Sequence, residues 1–92
     1  MKIRDLPINQ QPREKAICNG VESLNDGELL ALIIGSGTKG KSALEIGNEL
    51  IMNYQNIHLL INENYNNLTK QKGLSTVISL KLSAAFELAK RI

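Results

Sequence analysis

The stretch from Thr76 to the carboxy-terminus constrains the fold most. Ile78, Leu82, Ala85, Ala89 and Ile92 recur at intervals of 4, 3, 4 and 3, the spacing that lines one face of an α-helix. Val77, Leu80 and Leu88 broaden the stripe, while Ser83, Glu87, Lys90 and Arg91 are assigned to a polar side. The pattern predicts a helix over about 76–91. A helix with an apolar face must bury it against other elements. No alternating run elsewhere makes a defensible strand pair, so the partners have to be helices too.

Those partners are marked by their ends. Pro12 suits the first position of a short helix through about Asn19, and Gly20 suits its terminator. Asn25 with Glu28 three residues later forms a capping-box signal ahead of ELLALII, whose Leu29, Leu30, Ile33 and Ile34 make a helical stripe. Ser42 and Glu45 repeat the signal and open a helix to about Tyr54, with Ala43, Ile46, Gly47, Leu50 and Tyr54 facing inward. Short helices are expected over about 57–61 and 64–69, in a region where asparagine favours caps over helix interiors. Residues 1–11, with Leu6-Pro7 and Gln11-Pro12, read as an extended arm on the domain. The sum is one all-α domain over 1–92, a bundle of five or six helices.

Composition narrows the function classes. A single Cys18 forms no internal disulfide, and a lone His58 lacks the companions that a zinc site or catalytic triad requires. No catalytic residue, metal ligand or cofactor site is assigned, and the chain is read as a non-enzyme. The longest apolar run, 29–34, is far short of the ~18 residues of a membrane span. With no signal-peptide pattern either, the expectation is a cytoplasmic protein without a membrane partner. The only aromatic residues are Tyr54, Tyr65 and Phe86, too few for the stacking platforms of single-strand binders.

Charge is uneven along the chain. From residue 70 onward five basic residues face one acid, whereas residues 43–69 carry three acids and no lysine or arginine. The basic end contains KGLSTVISLKL at 72–82. Gly73 there permits a tight turn, and the following helix start presents free N–H groups of the kind that bind phosphate. Gly73, Ser75 and Thr76 would supply those contacts, with Lys70, Lys72 and Lys81 attracting the anion. Duplex DNA held by its backbone is the partner this implies. The plain alternative is that Gly73 ends one helix and Ser75 caps the next.

GSGTKGKS at 35–42 satisfies the G-x-x-x-x-G-K-[ST] pattern of nucleotide-binding loops. That motif works at the end of a strand in a parallel sheet, with a second strand bringing an Asp to Mg²⁺. Asp occurs only at Asp5 and Asp26, both upstream of the loop, so a helix-to-helix connection is expected instead. Lys39 and Lys41 remain candidates for a second basic patch.

Taken in order, MKIRDLP at the start, QPREK at 11–15, LNDGELLALIIGSGTKGKSALEIGNEL at 24–50 and the KGL to ELAKR ending resemble the amino-terminal domain of the RadC family, bacterial proteins long labelled as DNA repair proteins. The resemblance implies a helix-hairpin-helix motif over about 64–92 and binding to DNA without sequence preference. It also implies a metallopeptidase-like domain of the JAB/MPN type in longer members, and nothing like that domain's metal-binding residues occurs in these 92 residues. The chain is accordingly expected to be a fragment or a truncated product. The family's hairpin reads KGIG with a basic residue in the next turn. Here it is Lys72-Gly73-Leu74-Ser75, and Ile78 supplies no charge. The rival reading is a protein-interaction or regulatory module that docks on its own missing carboxy-terminal domain or on a repair or replication partner.

Overall fold

A computed structural model describes residues 11–38 and 40–92. The arm expected over 1–11 lies, Gln11 apart, outside the described residues. Six α-helices follow: α1 (Pro12–Asn19), α2 (Asp26–Ile34), α3 (Ala43–Tyr54), α4 (Ile57–Ile61), α5 (Tyr65–Leu68) and α6 (Thr76–Lys90). A 3-10 turn at Val21–Ser23 joins α1 to α2. No strand occurs among the described residues, as the all-α reading requires.

Side-chain caps set most of the starts. Asn25 accepts from the Glu28 N–H at 2.8 Å while the Glu28 carboxylate accepts from the Asn25 N–H at 2.9 Å. Ser42 and Glu45 repeat this reciprocal pair at 3.1 and 3.2 Å. Asn56 caps α4, Asn64 caps α5 and Ser75 caps α6. The asparagines that disfavour long helices here thus begin two short ones.

The core is aliphatic. Leu30, Ala31 and Ile34 of α2 meet Ala43, Ile46 and Leu50 of α3, closed by Leu60, Leu68, Leu74, Leu82 and Phe86. Helices α2 and α3 nearly touch at their backbones: a Cβ on Gly47 would lie 2.5 Å from the Gly27 carbonyl oxygen. The inward set expected for α3 is found, with Tyr54 half-buried against the cluster.

Two faces differ from expectation. In α2, Ala31 takes an inward place that the stripe had given to Leu29, which is exposed. In α6 the buried residues are Ser79, Leu82 and Phe86, while Ala89 and Ile92 are exposed. Ser83, assigned to the polar side, is half-buried, and its hydroxyl and that of Ser79 are enclosed without a hydrogen-bond partner among the described residues. The cause is size. Burying Phe86 removes far more apolar surface from water than burying Ala89, and α6 turns to place it, carrying both serines inward.

Candidate nucleic-acid interface

The connection from α5 to α6 is a tight, anchored turn. Gln71 N–H bonds the Leu68 carbonyl at 3.0 Å, and Leu74 N–H bonds that of Gln71 at 3.2 Å. Leu74 is buried in the core. Gly73 has φ +92°, and a Cβ there would come within 3.3 Å of the Ile46 side chain on α3. Gly73 therefore answers both a backbone demand and a close approach. Lys70, Lys72, Ser75 and Thr76 are left exposed. Ser75 Oγ accepts the Ile78 N–H at 3.2 Å. The N–H groups of Gly73, Ser75, Thr76 and Val77 have no backbone acceptor among the described residues. This is an electropositive helix entrance.

A polar latch beneath the turn was not legible in the sequence. Tyr54, last residue of α3, donates to Glu63 Oε2 at 2.7 Å, and Gln71 Nε2 donates to the Tyr54 hydroxyl at 3.3 Å. Glu63 Oε1 accepts from Asn67 Nδ2 at 3.0 Å and from the Asn64 N–H at 2.9 Å. The hydrogen bond from Asn67, then that from Tyr54, then the Asn64 N–H hold the Glu63 carboxyl below the usual carboxylate range. Burial first, then the hydrogen bond to Glu63 and its negative charge, push Tyr54 up to about 12. Helical periodicity places Tyr54 inward, but nothing in residue spacing pairs it with Glu63 or Gln71.

The three lysines assigned to phosphate attraction differ in place. Lys70 and Lys72 sit in the turn, whereas Lys81 lies five residues into α6, roughly 8 Å along the axis from Thr76. All three are exposed, and none forms an ion pair among the described residues. No acid occurs from Lys70 to Phe86. Lys90 and Arg91, which swelled the basic count of the carboxy-terminal part, sit at the far end of α6 and engage Glu87 at 4.0 and 3.1 Å. They do not add to the helix entrance.

The nucleotide-loop pattern has no strand before it. It leaves α2, closes a short turn through Thr38 N–H to Lys41 C=O at 2.9 Å and Lys41 N–H to Thr38 C=O at 3.0 Å, and enters α3. Lys41 Nζ pairs with Glu49 Oε1 at 2.6 Å. Of the second candidate patch, then, Lys41 carries a neutralised charge, and Lys39 lies outside the described residues. No cluster of His, Cys, Asp and Glu able to hold a metal occurs among the described residues. No helix there is long and apolar enough to cross a membrane.

Fold and turn together define a small all-α domain in which the longest helix among the described residues opens at a cationic entrance. Residues 3–79 match the UPF0758 N-terminal domain family. A UPF0758 protein of Staphylococcus aureus (strain Newman) is 39% identical over 92 residues, covering 100% of this chain and 40% of that protein. Relatives in Geobacillus sp. (strain WCH70) and Xanthomonas axonopodis pv. citri (strain 306) are 38% and 37% identical over 90 and 91 residues, again across 40% of their length. The chain belongs to the UPF0758 family, the RadC family of the resemblance, and corresponds to its N-terminal domain. It spans about two-fifths of the length of the curated relatives it matches. No solved structure matches it.

Proposed function

We propose that the chain is a DNA-binding domain of the helix-hairpin-helix type that grips the phosphate backbone without reading sequence, in a protein of DNA repair. The observation that carries this reading is the acid-free entrance to α6. N–H groups at Gly73, Ser75 and Thr76 that have no backbone acceptor among the described residues share the turn with Lys70 and Lys72, whose charges have no partner there either. Phosphate contacts position a protein on the duplex, while sequence readout needs side chains such as Arg, Asn or Gln in a groove. None extends from this turn, because Gln71 is held by Tyr54. Ser75 brings a Cβ near the phosphate position where the family pattern has glycine, so the grip is weak.

Titration of labelled duplex DNA across a salt series tests the reading. The Kd is expected near the non-specific range of roughly 10⁻⁴ to 10⁻⁶ M, weakening as salt rises. Ser75→Gly is expected to tighten binding. Absence of salt-sensitive binding up to ~10⁻⁴ M protein would contradict the proposal.

A further inference from the structure

The outer side of α6 presents an apolar row that the fold leaves bare. Val77, Leu80 and Leu88 are 62%, 53% and 67% exposed, and Ile92, just beyond the helix, is fully exposed. Ala84, also exposed, lies between Leu80 and Leu88. The intervals 77, 80, 84 and 88 run 3, 4 and 4, so these residues share one face. It lies opposite the buried face of Ser79, Leu82 and Phe86. Lys81 borders one edge of the row and Glu87 the other, giving an apolar centre with charge at its rims. Among the described residues, the other exposed large apolar side chains, Ile17, Val21, Leu29, Met52 and Leu59, do not form such a row on one helix. Single exposed apolar side chains are ordinary; a contiguous strip along three turns of a helix is a surface that something covers.

The family comparison indicates the occupant. The matched region is the N-terminal part of proteins of which this chain spans 40%, so in those relatives the remaining 60% follows the helix corresponding to α6. The apolar row leads along α6 toward Ile92, and the matched part of the longer relatives includes the positions aligned with it. A chain continuing from there reaches the row without crossing the domain. Its proximity also raises its effective concentration there far above that of any free partner. We infer that the outer face of α6 is the seat of the carboxy-terminal segment carried by the longer family members, docked along Val77, Leu80, Ala84 and Leu88. The seat adjoins the entrance turn at Val77 and Lys81 but is defined by its apolar row, and the inference stands whether or not that turn binds DNA.

Thiol labelling in two intact proteins decides it. Cysteine is placed singly at Leu80 and at Leu88 in this chain carrying Cys18→Ser, and at the aligned positions of the full-length Staphylococcus aureus relative with its own cysteines replaced. A control cysteine is placed at Lys72 and at its aligned position. Both Leu80→Cys and Leu88→Cys alter exposed residues, so the fold is expected to survive, as thermal melts will verify. The expected result is maleimide labelling at least tenfold slower in the full-length relative at the two row positions, with the control labelled at similar rates in both proteins. Equal rates at the row positions in both proteins would overturn the inference. So would slow labelling of the row in this chain at concentrations where sedimentation shows a dimer, since a second copy would then be the occupant.

Discussion

Two turns in this chain look alike on paper: residues 35–42 ahead of α3 and residues 70–75 ahead of α6. Each carries lysines and a positive-φ glycine, and each ends in a serine that caps a helix. They differ in what holds them and in where their charge goes. The first is closed by its own Thr38–Lys41 pair, stands clear of the core at Gly40, and has Lys41 tied to Glu49. The second is driven into the core by Leu74, pressed onto Ile46 at Gly73 and latched through Gln71 to Tyr54, while the exposed Lys70 and Lys72 form no ion pair among the described residues. A fixed backbone whose lysines have no ion-pair partner among the described residues suits an anion; a closed turn whose Lys41 is tied to an acid suits a connection. A motif match alone ranks the two turns in the opposite order.

The widest separation between them is expected on removing apolar bulk. Leu74→Ala deletes a buried side chain from the second turn and should cost about 2–5 kcal/mol in urea unfolding. Thr38→Ala, at an exposed site in the first, should stay within about 0.5 kcal/mol. Comparable costs would mean that the second turn is not anchored.

Glycine replacement sharpens the same contrast. Both Gly40 and Gly73 have φ near +90°, so alanine at either should cost about 1–2 kcal/mol in backbone strain. Gly73→Ala should cost more than Gly40→Ala. Its methyl would press on Ile46 at 3.3 Å, whereas nothing lies within 4 Å of a Cβ at Gly40.

A smaller effect is expected from unlatching. Tyr54→Phe keeps the ring and loses both hydroxyl bonds, for about 1 kcal/mol. Its pH dependence has a definite sign. Because the folded Glu63 carboxyl titrates below its ordinary value, the latch is present above the carboxylate range and lost as pH falls through that lowered value. Tyr54, raised from 10.0 to about 12, holds its share below pH 10 and loses it between 10 and about 12. The melting-temperature gap between wild type and Tyr54→Phe should therefore be widest around neutrality and narrow at both edges. A gap independent of pH would remove the latch from the account.

Local chemistry was legible in the sequence; partnerships across the fold were not. The capping pairs Asn25–Glu28 and Ser42–Glu45, Pro12 at a helix start and the glycine at 73 act within a few residues, and all appear as read. The face of α6 was misread because the helix is apolar on almost every side. Its period fits more than one rotation, and only the volume of Phe86 against the core selects between them. Enclosing Ser79 and Ser83 without partners is a cost that sequence patterning gives no reason to expect. Likewise, the ion pair of Lys41 with Glu49 and the latch of Tyr54 with Glu63 and Gln71 join residues 8, 9 and 17 positions apart. Counting charge by segment credited Lys90 and Arg91 to a face that they do not reach.

The central claim, that the second turn and not the first faces phosphate, is tested most directly by removing one charge from each. Lys72→Ala and Lys41→Ala change the net charge of +2 by the same amount, so any difference reports position. In duplex titrations over a salt series, Lys72→Ala is expected to weaken binding to every sequence alike and to lower the log–log salt slope by about 1. Lys41→Ala is expected to leave the slope unchanged. An equal loss of slope in the two variants, or a larger one for Lys41→Ala, would contradict the account.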